Sequence, residues 1–564
     1  MNTLLYIMLR RLRMPLIALI LVYAVSILGL VLIPGQDDQG QPWRMGFFHA
    51  FYFVSFMGST IGFGEIPYPF TDAQRMWTLV CIYATVVTWL YAIGATLAVL
   101  QDQGFLRLIR TRRFAQKVRA LEEPFYLVCG YGTTGREVVL GLERRGLRSV
   151  VIDIRQERID QVSLEEFALP AYGFCADASL PDNLALAGLE KANCLGILAL
   201  TDQDGVNLAI SIASKLVKPK RMVISRSEND ITSANLASFG TDLVINPFKQ
   251  FAEYFGLAVH RPHQHLVYDW LINPQHRPLA SIYKHAKGRW ILCGFGRFGQ
   301  ALQQSLQSEA TAVTLIEPNP NLVTGNTDYI EGVGTEAVTL DAARVREAVG
   351  IIAGTPNDAD NLSIIMTARE MNAKLITVVR QNHAANELMF SNSRADFVMQ
   401  PGHTVATKIL AHIRTPLLEL FLQQLNTKDE VWCHTLMNRI SQSVGEERVD
   451  SRSFIISLEQ TPAVFEAIKA GAEISLRNLM KRPYDRKASL DCFPLLLKRA
   501  GDIVLTPGEL EALQIGDELL FCGRFEDLDD QLWILENRQT LNYVLNGTDD
   551  NPNPILRWIR TLNI

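Results

Sequence analysis

Two uncharged apolar runs in the first hundred residues constrain this chain more than any other feature. They cover residues 14–33 and 77–100, so each has about 20 residues or more. A helix of that length spans the hydrocarbon core of a bilayer, which is about 30 Å thick. We therefore predict two transmembrane helices in contact with membrane lipid. The first run is too long for the core of a cleaved signal peptide, and a buried helical hairpin of a soluble domain is the weaker alternative.

The charges that flank these runs predict an orientation. Three arginines precede the first run, and five arginines and one lysine lie within residues 107–119, after the second. Cytoplasmic flanks of membrane helices carry an excess of basic residues. Both termini are therefore expected in the cytoplasm, with the chain in the cell inner (plasma) membrane and the connecting loop outside.

The loop between the two runs predicts an ion path. Residues 43–57 read WRMGFFHAFYFVSFM, which is apolar but too short to span, and TIGFG follows at 60–64. Irregular backbone at membrane depth is tolerated only inside protein or along water. Glycine permits the positive φ that lets successive carbonyls point the same way, and rings of carbonyls can replace the hydration shell of a cation. The candidate filter residues are Thr60, Ile61, Gly62, Phe63 and Gly64.

This segment resembles a known family. TIGFGE is similar to TVGYGD, the filter pattern of potassium channels, and it lies between two spans as in the two-transmembrane members. The resemblance implies a pore of four chains that passes potassium. Phe63 replaces a tyrosine whose hydroxyl would brace the filter. Gly94, in the inner half of the second span, is a candidate gating hinge, with close helix packing as an equal alternative.

The remainder of the chain contains one unit twice. Residues 125–135 read FYLVCGYGTTG and residues 289–299 read RWILCGFGRFG. Each copy has an apolar strand, a G-x-G-x-x-G loop and an acid, Asp153 or Glu317, that lies 23 positions after the first glycine. One such motif is weak evidence, but two copies in this context are a strong dinucleotide fingerprint. We therefore predict two α/β Rossmann-like domains.

The glycine loops and acids define candidate nucleotide ligands. Phosphate oxygens would sit on free N–H groups at a helix N-terminus, and the acid would accept hydrogen bonds from ribose hydroxyls. The first copy offers Gly130, Gly132, Thr133, Thr134, Gly135, Asp153, Asp177 and Arg226. The second offers Gly294, Gly296, Arg297, Phe298, Gly299, Glu317, Glu336 and Arg380. An acid at the ribose position favours NAD or ADP over NADP. The sequence leaves open which copy holds which nucleotide, and whether the ligand opens or closes the pore.

The repeated units resemble RCK domains, also called TrkA-N or KTN domains, which regulate potassium channels and transporters. The resemblance implies a homotetramer with eight RCK domains in a gating ring, and regulation by divalent cations such as calcium in some members. The domain boundaries expected from it are 1–104 for the pore, 105–123 for a linker, 124–287 and 288–450 for the RCK domains, and 451–564 for the C-terminal lobe and tail.

Composition removes some alternatives. The net charge of −5 gives no indication of a nucleic-acid partner, and the eight cysteines form no CxxC pair. A membrane-anchored NAD oxidoreductase would need a substrate domain with a positioned acid–base pair, which we do not find, so no catalytic residue is predicted. A transporter's regulatory subunit would not carry its own filter. HRPHQH at 260–265 and FEDLDD at 525–530 are weak metal candidates.

Overall fold

The computed structural model describes residues 2–272, 288–307, 311–323, 328–445 and 448–547. It divides into two compact units, Met1–Lys117 and Val118–Ile564. In the first unit the helices are α1 (Asn2–Leu32), α2 (Phe47–Gly58), α3 (Asp72–Leu100) and α4 (Gln103–Arg119), the last of which continues across the division. Two short antiparallel strands, β1 (Gly35–Gln36) and β2 (Pro42–Trp43), lie between α1 and α2.

The first unit has the organisation predicted for a pore. Two helical segments are long and apolar enough to cross a membrane. They are Leu12–Leu32 of α1 and the whole of α3. The shorter α2 lies between them in sequence, and its side chains Val54 and Phe56 are buried with Leu30 of α1. Large apolar side chains on the outer faces of α1 and α3 remain exposed, as lipid-facing side chains are.

The second unit begins with a parallel six-stranded sheet, which we call the first nucleotide unit (residues 125–245). The order of its strands is β5-β4-β3-β6-β7-β8. The central strand β3 is buried along its whole length, and β4 along all but its first residue, as expected where helices cover both faces of a parallel sheet. The strands are β3 (Phe125–Cys129), β4 (Arg148–Asp153), β5 (Tyr172–Cys175), β6 (Cys194–Ala199), β7 (Met222–Arg226) and β8 (Leu243–Ile245). The helices are α5 (Thr133–Glu143), α6 (Gln156–Leu164), α7 (Pro181–Leu186), α8 (Asp204–Val217), α9 (Asp230–Ser238), α10 (Pro247–His260) and α11 (Pro262–Ile272).

The second nucleotide unit (residues 290–399) repeats this topology. Its strand order, β11-β10-β9-β12-β13-β14, matches the first sheet position by position. The strands are β9 (Trp290–Cys293), β10 (Val313–Glu317), β11 (Asp328–Glu331), β12 (Gly350–Ala353), β13 (Ile376–Arg380) and β14 (Phe397–Met399). The helices are α12 (Arg297–Gln307), α13 (Ala337–Ala342), α14 (Asp358–Met371), α15 (Glu387–Asn392), α16 (Pro401–Arg414), α17 (Pro416–Leu425) and α18 (Glu430–Val444). The predicted fold class, apolar spanning helices followed by two Rossmann-like domains, is confirmed.

A smaller antiparallel lobe follows. Its four strands are arranged β15-β18-β16-β17 around a core that includes the stacked rings of Phe454 and Phe521. The strands are β15 (Asp450–Ile455), β16 (Cys492–Arg499), β17 (Asp502–Leu505) and β18 (Glu518–Gly523). The helices are α19 (Pro462–Lys469), α20 (Leu476–Leu479), α21 (Phe525–Glu536) and α22 (Arg538–Asn546).

Candidate pore and nucleotide sites

The filter segment leaves the C-terminal end of α2 with a backbone that alternates in handedness. Thr60, Gly62 and Gly64 have φ of 60°, 66° and 75°, and Ile61 and Phe63 between them do not have positive φ. The N–H groups of Ile61 and Gly62 both donate to the Phe56 carbonyl oxygen, at 3.0 and 3.2 Å. Alternating φ turns successive carbonyls to one side of the strand, which is the arrangement needed to line an ion path.

Sequence reasoning missed a second feature of this segment. The hydroxyl of Tyr52, on α2, donates to Glu65 Oε2 at 3.1 Å. This contact joins the end of the filter to the helix that precedes it. Phe63 cannot make a hydrogen bond of this kind, so Tyr52 supplies a bracing bond from another position. The spacing of 13 residues gave no signal that these two side chains would meet.

Gly94 lies inside α3, and no heavy atom of the described chain lies within 4 Å of the position a Cβ would take there. Close packing within one chain therefore does not explain this glycine. The hinge role stays a prediction.

The two glycine loops have the same backbone. Gly130 and Gly294 have φ of 101° and 93°, which side chains rarely adopt. A Cβ on Gly135 would overlap the carbonyl oxygen of Gly130, and a Cβ on Gly299 would overlap that of Gly294. Each loop therefore packs its helix tightly against the preceding strand, which leaves the first N–H groups of α5 and α12 at the loop.

The acids at the ends of β4 and β10 hold these loops in the same way. Asp153 Oδ2 accepts from the N–H of Tyr131 at 2.7 Å, and Glu317 Oε2 accepts from the N–H of Phe295 at 2.7 Å. Both carboxylates are buried. The donor in each case is the residue between the first two glycines, so the acid lies beside the phosphate-binding turn, where a ribose would pass.

The first loop has an additional neighbour that the sequence did not reveal. Arg158, on α6, forms an ion pair with Asp153, with 3.0 Å between Nη1 and Oδ2. Its guanidinium nitrogens lie 3.5 Å from the position a Cβ would take on Gly132. The arginine therefore covers both the acid and the middle glycine of the loop. It sits five residues beyond the acid, a spacing that carries no recognised motif.

The second loop is open. Apart from its two chain neighbours, no heavy atom of the described residues lies within 4 Å of the position a Cβ would take on Gly296. Among the described residues, Glu317 has no cation as a partner, and its Oε1 accepts from the N–H of Asn319 at 3.2 Å. The space above the middle glycine of this loop is thus open among the described residues.

A chain of polar contacts joins the two loops. Arg226, at the end of β7, donates to Thr134 Oγ1 at 3.3 Å and forms an ion pair with Glu228. Glu228 Oε2 also lies 2.8 Å from a guanidinium nitrogen of Arg297, in the second loop. Glu228 was not predicted, although it lies only two residues after Arg226. Its carboxylate connects Arg226 of the first unit with Arg297 in the glycine loop of the second.

Arg380 lies beside this chain. Its guanidinium stacks over the rings of Phe248 and Phe298, with centroid distances of 4.9 and 6.0 Å. Burial lowers the pKa of Arg380, with Glu228 opposing and Arg297 adding to the effect. Its buried Nε has no hydrogen-bond partner among the described residues. The structure thus brings together three of the predicted arginines, Arg226, Arg297 and Arg380, near one carboxylate.

Three other predicted ligands make local contacts. Asp177 Oδ1 accepts from the N–H and hydroxyl of Ser179, at 2.8 and 2.7 Å, and so stabilises its own turn. Glu336 precedes α13 and accepts from Thr339 Oγ1 at 3.3 Å. Thr133, the first residue of α5, packs against Gly402 of α16. Their roles toward a ligand stay predictions.

No group of three or more His, Cys, Asp or Glu side chains that could hold a metal occurs within the described ranges. The acids of FEDLDD begin α21, where Asp527 is buried and pairs with Arg482 at 3.4 Å. In the histidine-rich stretch, His263 Nδ1 is 2.5 Å from Glu430 Oε2. Both weak metal candidates are therefore engaged in contacts within the chain.

Comparison with known proteins supports the same division of the chain. A family described as ion channel matches residues 16–102, and the TrkA-N domain family matches residues 126–247 and 290–401. Potassium channel protein 1 of Methanocaldococcus jannaschii is 24% identical over 42% of this chain and 67% of its own length. The voltage-gated potassium channel Kch of Escherichia coli is 27% identical over 29% of this chain and 38% of its own length. The structure of the GsuK channel bound to NAD aligns over 94% of this chain and all of its own, at 16% identity and a TM-score of 0.44.

The class defined by these features is an integral membrane channel with two dinucleotide-binding-type domains on the same chain. More narrowly, the chain belongs to the two-transmembrane potassium channels with tandem RCK, or TrkA-N, domains.

Proposed function

We propose that this channel is potassium-selective and that adenine nucleotides, NAD or ADP, bind its RCK domains and control pore opening. In this proposal four chains surround one pore, and their eight RCK domains form a cytoplasmic ring, with both termini on that side of the membrane. The domains follow the boundaries 1–104, 105–123, 124–287, 288–450 and 451–564. No divalent-ion site enters the proposal.

One observation carries it. In both copies a buried acid accepts a 2.7 Å hydrogen bond from the backbone of the glycine loop, and in the second copy the space above that loop is open. A carboxylate beside the N-terminus of a helix supports this proposal, because it could accept from ribose hydroxyls while the helix N–H groups bind phosphate oxygens of an adenine nucleotide. The charged groups near the loops are arginines and a carboxylate in ion pairs, a set that favours anion binding over proton transfer.

The nucleotide can act on the pore only by binding its open and closed states with different affinity. The linker, residues 105–123, is the covalent route between the pore and the first RCK domain. A coupling of about 1–3 kcal/mol would change the open–closed equilibrium by about 5–150-fold.

The test is single-channel recording of the purified protein in planar bilayers, with potassium and sodium gradients and with ADP or NAD on the RCK side. We expect potassium selectivity, and a change in open probability without a change in conductance. In the variant Glu317→Ala the dose response should move to higher nucleotide concentration. If neither nucleotide changes the open probability, while calorimetry on the same sample shows that it binds, the gating role is contradicted. Nucleotide binding itself would still stand.

Selectivity has its own test. In the variant Gly62→Ala a side chain is forced into positive φ, which costs about 1 kcal/mol or more and disturbs the alternating backbone. We expect loss of conductance or of potassium selectivity in a protein that still assembles. Unchanged selectivity in that variant would remove residues 60–64 from the filter role.

A further inference from the structure

A polar cavity in the second compact unit, Val118–Ile564, contains no residue of either glycine loop. It has a volume of about 210 Å³ and is lined by α5 from Glu137 onward, by the end of α11, by α16, by the start of α17 and by residues 448–451. None of the glycine-loop residues 130–135 lines it, and the lining on α5 begins at Glu137, about 6 Å along the helix from Thr133, given 1.5 Å per residue. The cavity is therefore distinct from the nucleotide site of the first unit.

Four guanidinium groups line this cavity. They belong to Arg144, Arg145, Arg414 and Arg448. The carboxylates that face them are Glu137, which is bound to His403 at 3.0 Å, and Asp450, which pairs with Arg414. Among the described residues, neither Arg144 nor Arg448 forms an ion pair with a carboxylate, so the lining has an excess of positive charge.

The pKa of Arg414 reflects both burial and this excess of positive charge. Burial, followed by the charges of Arg145, Arg448 and Arg452, lowers the pKa of Arg414 to about 10. Like charges held together in a partly desolvated space are costly unless an anion joins them.

A buried hydroxyl provides an independent indication. Thr415 lines the cavity and is fully buried, and its Oγ1 has no hydrogen-bond partner in the described structure. The residue precedes α17, yet its side chain does not cap that helix. An unsatisfied buried hydroxyl costs about 1–3 kcal/mol, so a ligand oxygen that bonds to it would offset a real penalty.

We propose that this cavity binds a small phosphate-bearing anion, in a site separate from the two nucleotide sites. The guanidinium groups pair with phosphate oxygens, the Thr415 hydroxyl donates to one of them, and the positive end of α17 faces the same space. A cavity of about 210 Å³ is smaller than the roughly 300 Å³ or more of drug-sized ligand sites, so the ligand is inorganic phosphate, pyrophosphate or a small phosphate ester, not a dinucleotide. Because the cavity is lined by α5 of the first nucleotide unit, by α16 and α17, and by Ser451 of β15, its occupant would contact all of these elements.

The test is calorimetry and thermal unfolding of the full-length protein with inorganic phosphate and, separately, pyrophosphate, against chloride at equal ionic strength. We expect Arg448→Gln to weaken phosphate binding by about tenfold or more. Arg346→Gln is the matched control, since Arg346 is an exposed arginine paired with Asp341 elsewhere in the same unit, and it should change the affinity less than about twofold.

The variant Thr415→Val separates ligand binding from a structural role. It removes the unsatisfied hydroxyl at nearly constant volume, so we expect a higher melting temperature without phosphate together with weaker phosphate binding. A purely structural threonine would not move these two quantities in opposite directions. If Arg448→Gln fails to fold, Arg144→Gln replaces it, with the same expected loss.

Three results would overturn the proposal. The first is phosphate affinity that is unchanged in Arg448→Gln and in Arg144→Gln. The second is phosphate binding that is lost in Glu317→Ala but kept in Arg448→Gln, which would assign the anion to a glycine loop. The third is calorimetry that shows no binding of phosphate or pyrophosphate to the unaltered protein beyond the chloride control. None of these results bears on nucleotide gating of the pore.

Discussion

Gly132 and Gly296 occupy the same position in their loops, but only Gly132 has a charged side chain above it. Arg158 covers the first loop and pairs with Asp153, while the second loop is open and Glu317 has no cation partner among the described residues. Strand order, turn geometry and acid position are the same in both copies. The repeat thus preserves the fold while one arginine changes the availability of the site. We infer that the second unit is the one ready to bind a nucleotide.

The largest effect is expected from the glycines that pack each loop. In Gly299→Ala the Cβ would overlap the carbonyl oxygen of Gly294, so the turn must open. We expect a loss of stability of about 2–4 kcal/mol and no nucleotide binding in the second unit. Gly296→Ala is the matched control, because a Cβ there meets nothing in the chain and would only obstruct a pyrophosphate. Thermal unfolding should separate the two, and a Gly296→Ala protein that melts as low as Gly299→Ala would contradict the geometry.

The next effect concerns the two acids. We expect Glu317→Ala to weaken nucleotide binding by about 10–100-fold, because a hydrogen bond to a charged group is worth about 1.5–3 kcal/mol. Asp153→Ala should affect stability more than nucleotide affinity, because it leaves the Arg158 guanidinium without its partner.

Calorimetry on both variants measures the nucleotide affinity, and thermal unfolding measures the stability. Equal losses of affinity in Glu317→Ala and Asp153→Ala would mean that Arg158 does not restrict the first site.

A smaller effect is expected from Arg158 itself. In Arg158→Gln, Asp153 Oδ2 loses one of its two donors and keeps the Tyr131 N–H, so it can accept from a ribose hydroxyl, and affinity in the first unit for adenosine, which has no phosphate, should rise by about 3–10-fold. Adenosine is used because Arg158 could also attract the phosphate of a nucleotide, and that attraction would oppose the expected gain. Tighter binding of NADP than of NAD by the unaltered first unit would instead assign Arg158 to a 2′-phosphate. Competition titrations in the Glu317→Ala background measure both.

The smallest effect is expected at the contact between the units. Glu228 binds both Arg226 and Arg297, so a phosphate at either loop competes with it for an arginine. We expect Glu228→Gln to change each site's affinity only a few-fold, while making the two sites independent of each other. The check is a double-mutant cycle with Glu317→Ala, in which a coupling energy of about 0.5 kcal/mol or more between the sites should disappear.

The sequence predicted the pattern that repeats but not the contacts that differ. Asp153 and Glu317 follow from strand periodicity and the spacing to the glycines, because both are set by the local chain. Arg158 and Glu228 depend on which side chains a helix and a loop bring over the site, and no motif records that. Tyr52 was missed for the same reason, since its bond to Glu65 depends on how the filter returns along α2. Position within an element is predictable from sequence, whereas contact between elements requires the fold.

The central claim, that the second unit is the open nucleotide site, is tested most directly by titrating ADP and NAD into the full-length protein and into Glu317→Ala and Asp153→Ala. The account predicts a tight step of one nucleotide per chain, which is lost in Glu317→Ala and retained in a folded Asp153→Ala protein. A tight step that survives in Glu317→Ala and disappears in folded Asp153→Ala would contradict it.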